Sequence, residues 1–273
     1  MTVNSASFAS RLRWWRERRG MSQLALALAA EVSQRHLSFL EVERTAPSRD
    51  MVLRLSAALD LPLREQNALL LAAGYAPIWR ERALGAPELS VVNRALDFML
   101  MQQEPYPAFV LDRRWNLLRS NEAGRRFVGF LTDSPPQQPD AARSINLADA
   151  LIAPDALRPL ITNWREVALY FIRGVRADAL ADGTEATASL LDRLLRYPDV
   201  PGIFETAAMD TTQDPVLTMD MAKGGTRLRL FTTLATLGTP LDVTVQETRI
   251  ECFFPADAAT AEFFKERAVA RSA

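Results

Sequence analysis

Met21-Ser22-Gln23-Leu24-Ala25-Leu26-Ala27-Leu28-Ala29-Ala30-Glu31-Val32-Ser33-Gln34-Arg35-His36-Leu37-Ser38-Phe39-Leu40-Glu41 is the stretch whose reading decides the fold. Ser22 and Ser33 each supply an oxygen suited to cap a helix N-terminus. Leu26, Ala27 and Ala30 give the first helix its inward stripe, and Leu37 and Leu40 do the same for the second. Gln34, Arg35, Ser38 and Phe39 are left pointing outward. Two short helices meeting at a tight turn, with a polar N-terminal end on the second, have the geometry to enter a DNA major groove. Gln34 can present its amide to adenine, Arg35 its fork to guanine or a phosphate, Ser38 a hydroxyl, and Phe39 an apolar contact to a thymine methyl. Gln23, Arg44 and Arg49 are placed to hold phosphates, which gives affinity and register without sequence choice. Arg16 is expected to pair with Glu41 as structural support.

Working outward, Phe8, Leu12 and Trp15 form an earlier helical stripe that stops at Arg19-Gly20. Pro47-Ser48 breaks the chain ahead of a fourth stripe, Met51, Leu55 and Ala58, and Leu63, Asn67, Leu70 and Leu71 make a fifth that ends near Gly74. Residues 1–76 therefore predict a five-helix, all-α domain. Gly85 and Pro87 mark 77–90 as a linker, 91–265 as a second domain and 266–273 as a tail. In the second domain a helix over 91–102 precedes a hairpin, 109–111 and 115–118, turning at Asp112-Arg113. A loop follows over 132–144, then helices over 148–151, 159–180 and 185–196. Strands over 215–221, 227–237 and 241–254 close the order. Strands at both ends with helices between predict an α+β domain with an antiparallel sheet.

Counting excludes much chemistry. The chain has 273 residues, 48% apolar and 24% charged, the texture of chains that bury real cores. Its longest apolar runs span about two helical turns, far short of the ~20 residues that cross a bilayer, so no membrane partner is expected. Arg11, Arg13 and Arg16 interrupt the first apolar cluster, so no signal peptide can be drawn and a cytoplasmic location is expected. One cysteine, Cys252, forms no internal disulfide. One histidine, His36, leaves no partner for a His-based metal cage or a nucleophile triad. No metal, cofactor or catalytic residue is expected. Residues 1–80 carry 11 Arg and no Lys against 7 acids, whereas the remainder is net acidic. Five Arg between 11 and 19 suggest either an anion-facing surface or a solvated helix face.

Arg16-x-x-Arg19-Gly20-Met21-Ser22-Gln23, Val32-Ser33-Gln34, Leu37-Ser38-Phe39-Leu40-Glu41 and Pro47-Ser48 resemble the helix-turn-helix of the XRE/Cro regulators. The strings His36 to Glu41, Pro47 to Leu55 and Asn67 to Tyr75 narrow the resemblance to MmyB-like regulators. It continues through Glu104 to Ala108, Asp112 to Asn116, Asn163-Trp164 and Phe254 to Asp257. The resemblance implies a lambda-repressor-like helix-turn-helix domain followed by a PAS-like domain that binds a small ligand, in a transcription regulator acting on double-stranded DNA. Glu31 and Glu43 stand where that family usually has glycine, and a non-glycine residue in left-handed geometry costs on the order of 1 kcal/mol.

Strand parity and a PAS-like layout select a candidate cavity wall. Leu228, Leu230, Thr232 and Leu234 share one face of the 227–237 run, while Phe231 belongs to the other. Tyr106, Phe109, Leu117, Phe127, Phe130, Leu147, Leu151, Trp164 and Phe171 are the candidates from the hairpin and helices. Haem lacks donors, and nucleotides and flavins lack a phosphate loop. The expected guest is a small apolar effector, a fatty acid or similar amphiphile, with its head near Tyr106 or Arg173. A fully packed second domain that only dimerises is the alternative. A homodimer is expected because paired half-sites call for two reading helices. Peptidase chemistry lacks its HExxH string, and Glu247 and Glu251 read as a solvated pair on one strand face.

Overall fold

A computed structural model of the chain describes residues 7–135, 145–206 and 215–269. They form two compact units, the first from the described part of 1–82 with 182–185 and 240–246, the second from 83–181, 186–239 and 247 onward. The expected boundary at 76 moves to 82. The side-chain oxygen of Asn67 accepts the N–H groups of Ile78 and Trp79 at 3.1 and 3.0 Å, and the Trp79 indole donates to Gln66 at 2.8 Å, so the first part of the expected linker is bound to the helical unit.

The first unit holds the five predicted helices, α1 (Phe8–Arg18), α2 (Gln23–Ala29), α3 (Gln34–Glu41), α4 (Arg49–Ala58) and α5 (Leu63–Ala72). Serine caps set their starts. Ser22, Ser33 and Ser48 accept the N–H groups of Ala25, His36 and Met51 at 3.0, 3.1 and 3.2 Å. Leu12, Trp15, Leu26, Leu37, Leu40, Leu55, Leu69 and Leu70 lie at the centre and are essentially inaccessible. Glu31 and Glu43 adopt φ of 54° and 59°, the left-handed turns expected for them. The burial of five apolar stripes outweighs two penalties of that size.

Most of the arginine run is consumed inside the unit, which corrects its reading as an anion-facing surface. Arg16 clamps Glu41 through Nε and Nη2 at 2.6 and 3.0 Å, Arg19 donates to the carbonyls of Leu59 and Asp60, and Arg13 pairs with Glu17. Arg11 is buried 3.8 Å from Glu65.

The second unit opens with α6 (Ser90–Gln102) after a 3-10 turn at Pro87–Leu89. Its sheet comprises β1 (Ala108–Leu111), β2 (Leu117–Ser120), β3 (Met219–Lys223), β4 (Thr226–Thr236) and β5 (Arg249–Pro255), ordered β2-β1-β5-β4-β3 with antiparallel pairing throughout. The helices α7 (Glu122–Thr132), α8 (Leu147–Ile152), α9 (Trp164–Asp182), α10 (Glu185–Leu195), α11 (Val200–Thr206) and α13 (Ala258–Val269) complete the α+β arrangement. One sheet face carries Val110 and Ile250 against Leu96 and Leu100 of α6, while the other enters the large core with Phe109, Leu111, Leu228, Leu230 and Phe253.

Several boundaries differ from expectation. The run 241–254 is not one strand: α12 (Val243–Glu247) interrupts it, because the Asp242 carboxylate accepts the Thr244 N–H at 3.0 Å and starts a helical turn that β-branched residues had disguised. The helix expected from 159 begins at Trp164, since Arg158–Leu160 is a 3-10 turn. Strand β3 starts at Met219, not 215. The hairpin turn runs from Asp112 to Asn116 with Trp115 at φ 65°, longer than two residues. Helices α7, α11 and α13 had no counterpart in the sequence reading, and α13 passes through the expected start of the tail at 266. Of the expected 132–144 loop, 136–144 lie outside the described residues, as do 270–273 of the tail.

Buried Asn121 joins helix to sheet. Its side-chain oxygen accepts from Ala108 N–H at 3.0 Å and Gly124 N–H at 2.8 Å, and its nitrogen donates to the carbonyl of Tyr106 at 2.7 Å. The seat is tight at Gly124, where a Cβ would fall 2.9 Å from the Phe109 ring and 3.2 Å from the Ala108 carbonyl.

Removing Arg16 leaves the Glu41 carboxylate, 3% exposed, without its ionic partner. Arg16→Leu is therefore expected to lower the stability of the first unit by about 3 kcal/mol in urea unfolding. A loss below about 1 kcal/mol would show that the pair contributes little.

Candidate functional site: a polar helix face and an apolar cavity

Helix α3 divides its residues as its spacing dictates. Leu37 and Leu40 are buried, Gln34 and Arg35 exposed, and Ser38 and Phe39 half-buried on the outer side. Two guanidinium groups lie near the Phe39 ring, Arg35 at 5.4 Å and Arg44 at 5.6 Å from its centroid. Both contacts lie within cation–π range, which holds the arginines near the ring. Arg44 and Arg49 are exposed, Arg49 as the first residue of α4. Gln23 is placed differently from a free phosphate ligand. Its amide nitrogen donates to Glu41 at 2.9 Å, so the residue braces α2 against the end of α3.

The second unit contains a cavity of about 260 Å³ between the inner sheet face and the helices. Phe127, Val128 and Leu131 come from α7, Leu147 and Leu151 from α8, and Val167, Tyr170 and Phe171 from α9. The sheet contributes Phe109, Met219, Met221, Leu230, Phe231, Thr232, Leu234, Glu251 and Phe253, and Trp115, Leu157 and Leu217 complete the wall. Trp115, Tyr170, Thr232 and Glu251 are the lining residues with side-chain nitrogen or oxygen atoms.

Of the residues singled out from sequence, Phe109, Phe127, Leu147, Leu151, Phe171, Leu230, Thr232 and Leu234 border this cavity. Five do not. Leu117 and Leu228 are ordinary buried core. Tyr106 packs edge-on against Phe264, and Phe130 against Phe263 beneath Arg267. Trp164 has its indole N–H on the Leu151 carbonyl at 2.9 Å and the Arg158 guanidinium over its ring at 3.5 Å. The expected head-group positions separate likewise. Tyr106 lies away from the wall, whereas Arg173 sits 5.7 Å from the ring of Tyr170, a lining residue. Phe231 borders the cavity although its ring stacks on Phe254 at 5.4 Å, on the face parity assigns it.

Glu251 is the residue the sequence reading misplaced. It does not form a solvated pair with Glu247, which belongs to α12 and holds Arg113 at 2.6 Å. Glu251 stands on the central strand between Phe109 of β1 and Leu234 of β4, with Phe253 beside it on the same face. Burial pushes its carboxyl up to about 7, opposed by a hydrogen bond from the Thr232 hydroxyl. The signal that could have found it is parity: an ionisable residue two positions from Phe253 in an apolar strand must share its inward face. On the opposite face, burial and the neighbouring Glu251 raise the Cys252 thiol above its usual value.

Among the described residues no group of three or more His, Cys, Asp or Glu is arranged to hold a metal ion, and no helix is long and apolar enough to cross a membrane.

Comparison with known proteins matches residues 92–266 to the MmyB-like transcription regulator ligand binding domain and residues 12–66 to a helix-turn-helix model. No curated protein matches the chain. Among solved structures, the PAS domain from Bordetella pertussis BvgS is similar at 13% identity and a TM-score of 0.26, covering 65% of this chain and 96% of that one.

A carboxyl held near 7 in the folded state, against an ordinary 4.5, keeps a proton that the unfolded chain has released. The native state binds more protons between about 4.5 and 7, so this group's contribution to stability falls as pH rises through that window and then levels off, by about 3 kcal/mol in all. Glu251→Gln is expected to remove the decline and to be the more stable protein at pH 8, read by urea unfolding at pH 5 and pH 8. An identical difference between the two proteins at both pH values contradicts the assignment.

Proposed function

Because the chain belongs to the MmyB-like transcription regulators, we propose that it works as a homodimeric, sequence-specific DNA-binding regulator whose affinity for its operator is set by a small, mainly apolar effector. The effector is a fatty acid or an amphiphile of similar build. The observation that carries this reading is the cavity of about 260 Å³ inside the region matched to the ligand-binding domain, with walls almost wholly of Phe, Leu, Met, Val and Trp. A water's share of the liquid is roughly 30 Å³, so the space accommodates at least about nine groups of that size. Such walls favour apolar guests through dehydration and give no purchase to phosphates.

DNA recognition is assigned to the outward side of α3. Gln34, Arg35, Ser38 and Phe39 face bases, and Arg44 and Arg49 face phosphates. The homodimer reading is supported by α6, which leaves Val91, Phe98 and Met101 exposed at helical spacing, an apolar stripe of the kind two copies can cover. An effector changes operator affinity only if it binds one dimer arrangement better than another.

Gln34→Ala is expected to lose about 1 to 3 kcal/mol at the preferred site and to relax the choice of base there. Arg44→Ala is expected to weaken all sequences alike and to flatten the salt dependence by about one phosphate contact. Binding measured on a selected site and on random duplexes over a range of salt separates them, and a uniform loss from both substitutions refutes the division of roles.

Native mass spectrometry of the purified chain is expected to show a dimer carrying one small apolar molecule per protomer. A monomer contradicts the dimer, and a dimer that stays guest-free across a panel of added amphiphiles favours a second domain that only dimerises.

A further inference from the structure

Trp115 joins a strained backbone to an unsatisfied donor on the cavity wall. Its φ of 65° is left-handed, a conformation that glycine takes freely and a bulky residue rarely takes. Such strain persists where the surroundings over-determine it. The Asp112 carboxylate accepts the N–H groups of Arg114 and Asn116 at 2.8 and 2.9 Å, and the Trp115 carbonyl accepts the Leu147 N–H at 2.9 Å. The residue is enclosed, 8% exposed, and its ring meets Phe171 of α9 edge-on at 4.7 Å. Its indole N–H has no hydrogen-bond partner among the described residues. The nitrogen is not sealed by packing, and the space this residue borders is the cavity. Trp164, the other tryptophan of the second unit, places its N–H on the Leu151 carbonyl at 2.9 Å. Tyr170 and Thr232 are exposed, so water can satisfy their hydroxyls, whereas Trp115 depends on what fills the cavity. A phenylalanine would bury the same kind of ring with no donor to satisfy, so folding alone gives no reason for the nitrogen.

We infer that the Trp115 indole N–H binds the head group of the effector, and that this head group presents an acyl oxygen, as a carboxylate or an ester does. The inference rests on the reading of this cavity as the effector site and gives the proposed fatty acid a position for its head. An indole N–H donates and cannot accept, so it selects a guest with an acceptor and offers nothing to an ammonium group. A bond from N–H to an ionised carboxylate is the stronger of the two acyl contacts, which favours the free acid over its ester. Burial pushes the Glu251 carboxyl on the same wall up to about 7, so at pH 6 it stays mainly neutral and does not repel an acidic guest.

The test uses the full chain, freed of co-purified lipid, at pH 6, with decanoate, methyl decanoate and decylamine as probes of one chain length. Isothermal titration of the wild type and of Trp115→Phe is paired with the indole N–H signals of the wild type in a proton–nitrogen NMR spectrum, the Trp115 signal being assigned through its bonds to the backbone. Decanoate is expected to bind the wild type and to move the Trp115 indole proton downfield, and decylamine is expected to leave it in place. Trp115→Phe is expected to weaken decanoate about ten-fold, the equivalent of one hydrogen bond to a charged group, methyl decanoate about three-fold, and decylamine less than about two-fold. Methyl decanoate binding as tightly as decanoate, with an equal shift, assigns an ester head in place of the acid. Acyl probes that bind without moving the Trp115 signal, an equal loss for all three probes in Trp115→Phe, or no loss for the acyl pair overturns the inference and leaves the cavity as an effector site. Decylamine binding more tightly than both acyl probes overturns it as well. Binding of none of the three to the wild type overturns both readings. Where a thermal melt shows Trp115→Phe to be unfolded, the wild-type indole signals decide alone.

Discussion

The Glu41 carboxylate is the constraint on which the DNA-facing unit depends. It lies at the last residue of α3, almost wholly buried, and receives Arg16 from α1 in two hydrogen bonds and Gln23 from the first turn of α2 in a third. Arg16 also donates to the Met21 carbonyl in the turn between α1 and α2. Three helices are therefore fixed to one anion. Charged groups in that setting are tolerated only when nearly every acceptor position is filled. The outward placement of Gln34 and Arg35 follows from an interaction at the other end of their helix.

The second unit uses the opposite material. Its sheet is covered on both faces, by α6 on one side and by the cavity and its helices on the other. An antiparallel sheet buried twice cannot show a clean alternation of apolar and polar residues, and β1, Ala108–Leu111, is buried at every position. The inner face is recognisable from β4, where Leu228 and Leu230 are buried and Arg227 and Arg229 are not.

That contrast explains what the sequence made legible. In the first unit, serine caps and leucine stripes are local features, each within a few helical turns, and all five helices could be read from them, whereas the left-handed turns at Glu31 and Glu43 followed from the family resemblance. Beyond the five helices, local signals competed. Val243 and Val245 look like strand residues, yet Asp242 turns them into a helix, a contest that propensity alone does not decide. The helices α7 and α13 were hidden because their aromatic residues, Phe127, Phe263 and Phe264, read equally well as strand. The cavity was half legible. Parity found Leu230, Thr232 and Leu234, but separating a lining residue such as Phe171 from a core residue such as Leu117 depends on where the space between elements fails to close, a three-dimensional property. Glu251 was readable from Phe253, and its charge argued misleadingly for solvent.

The close seat of α7 on β1 carries a consequence for how such a cavity can change over generations. Gly124 does not border the cavity, yet it touches the Phe109 ring, which does. Adding one methyl group there leaves two outcomes: the helix lifts from the strand and the chamber widens, or the ring swings aside and fills it. Chamber capacity therefore depends on a position outside its wall, and a single codon there can alter it while every wall residue stays the same.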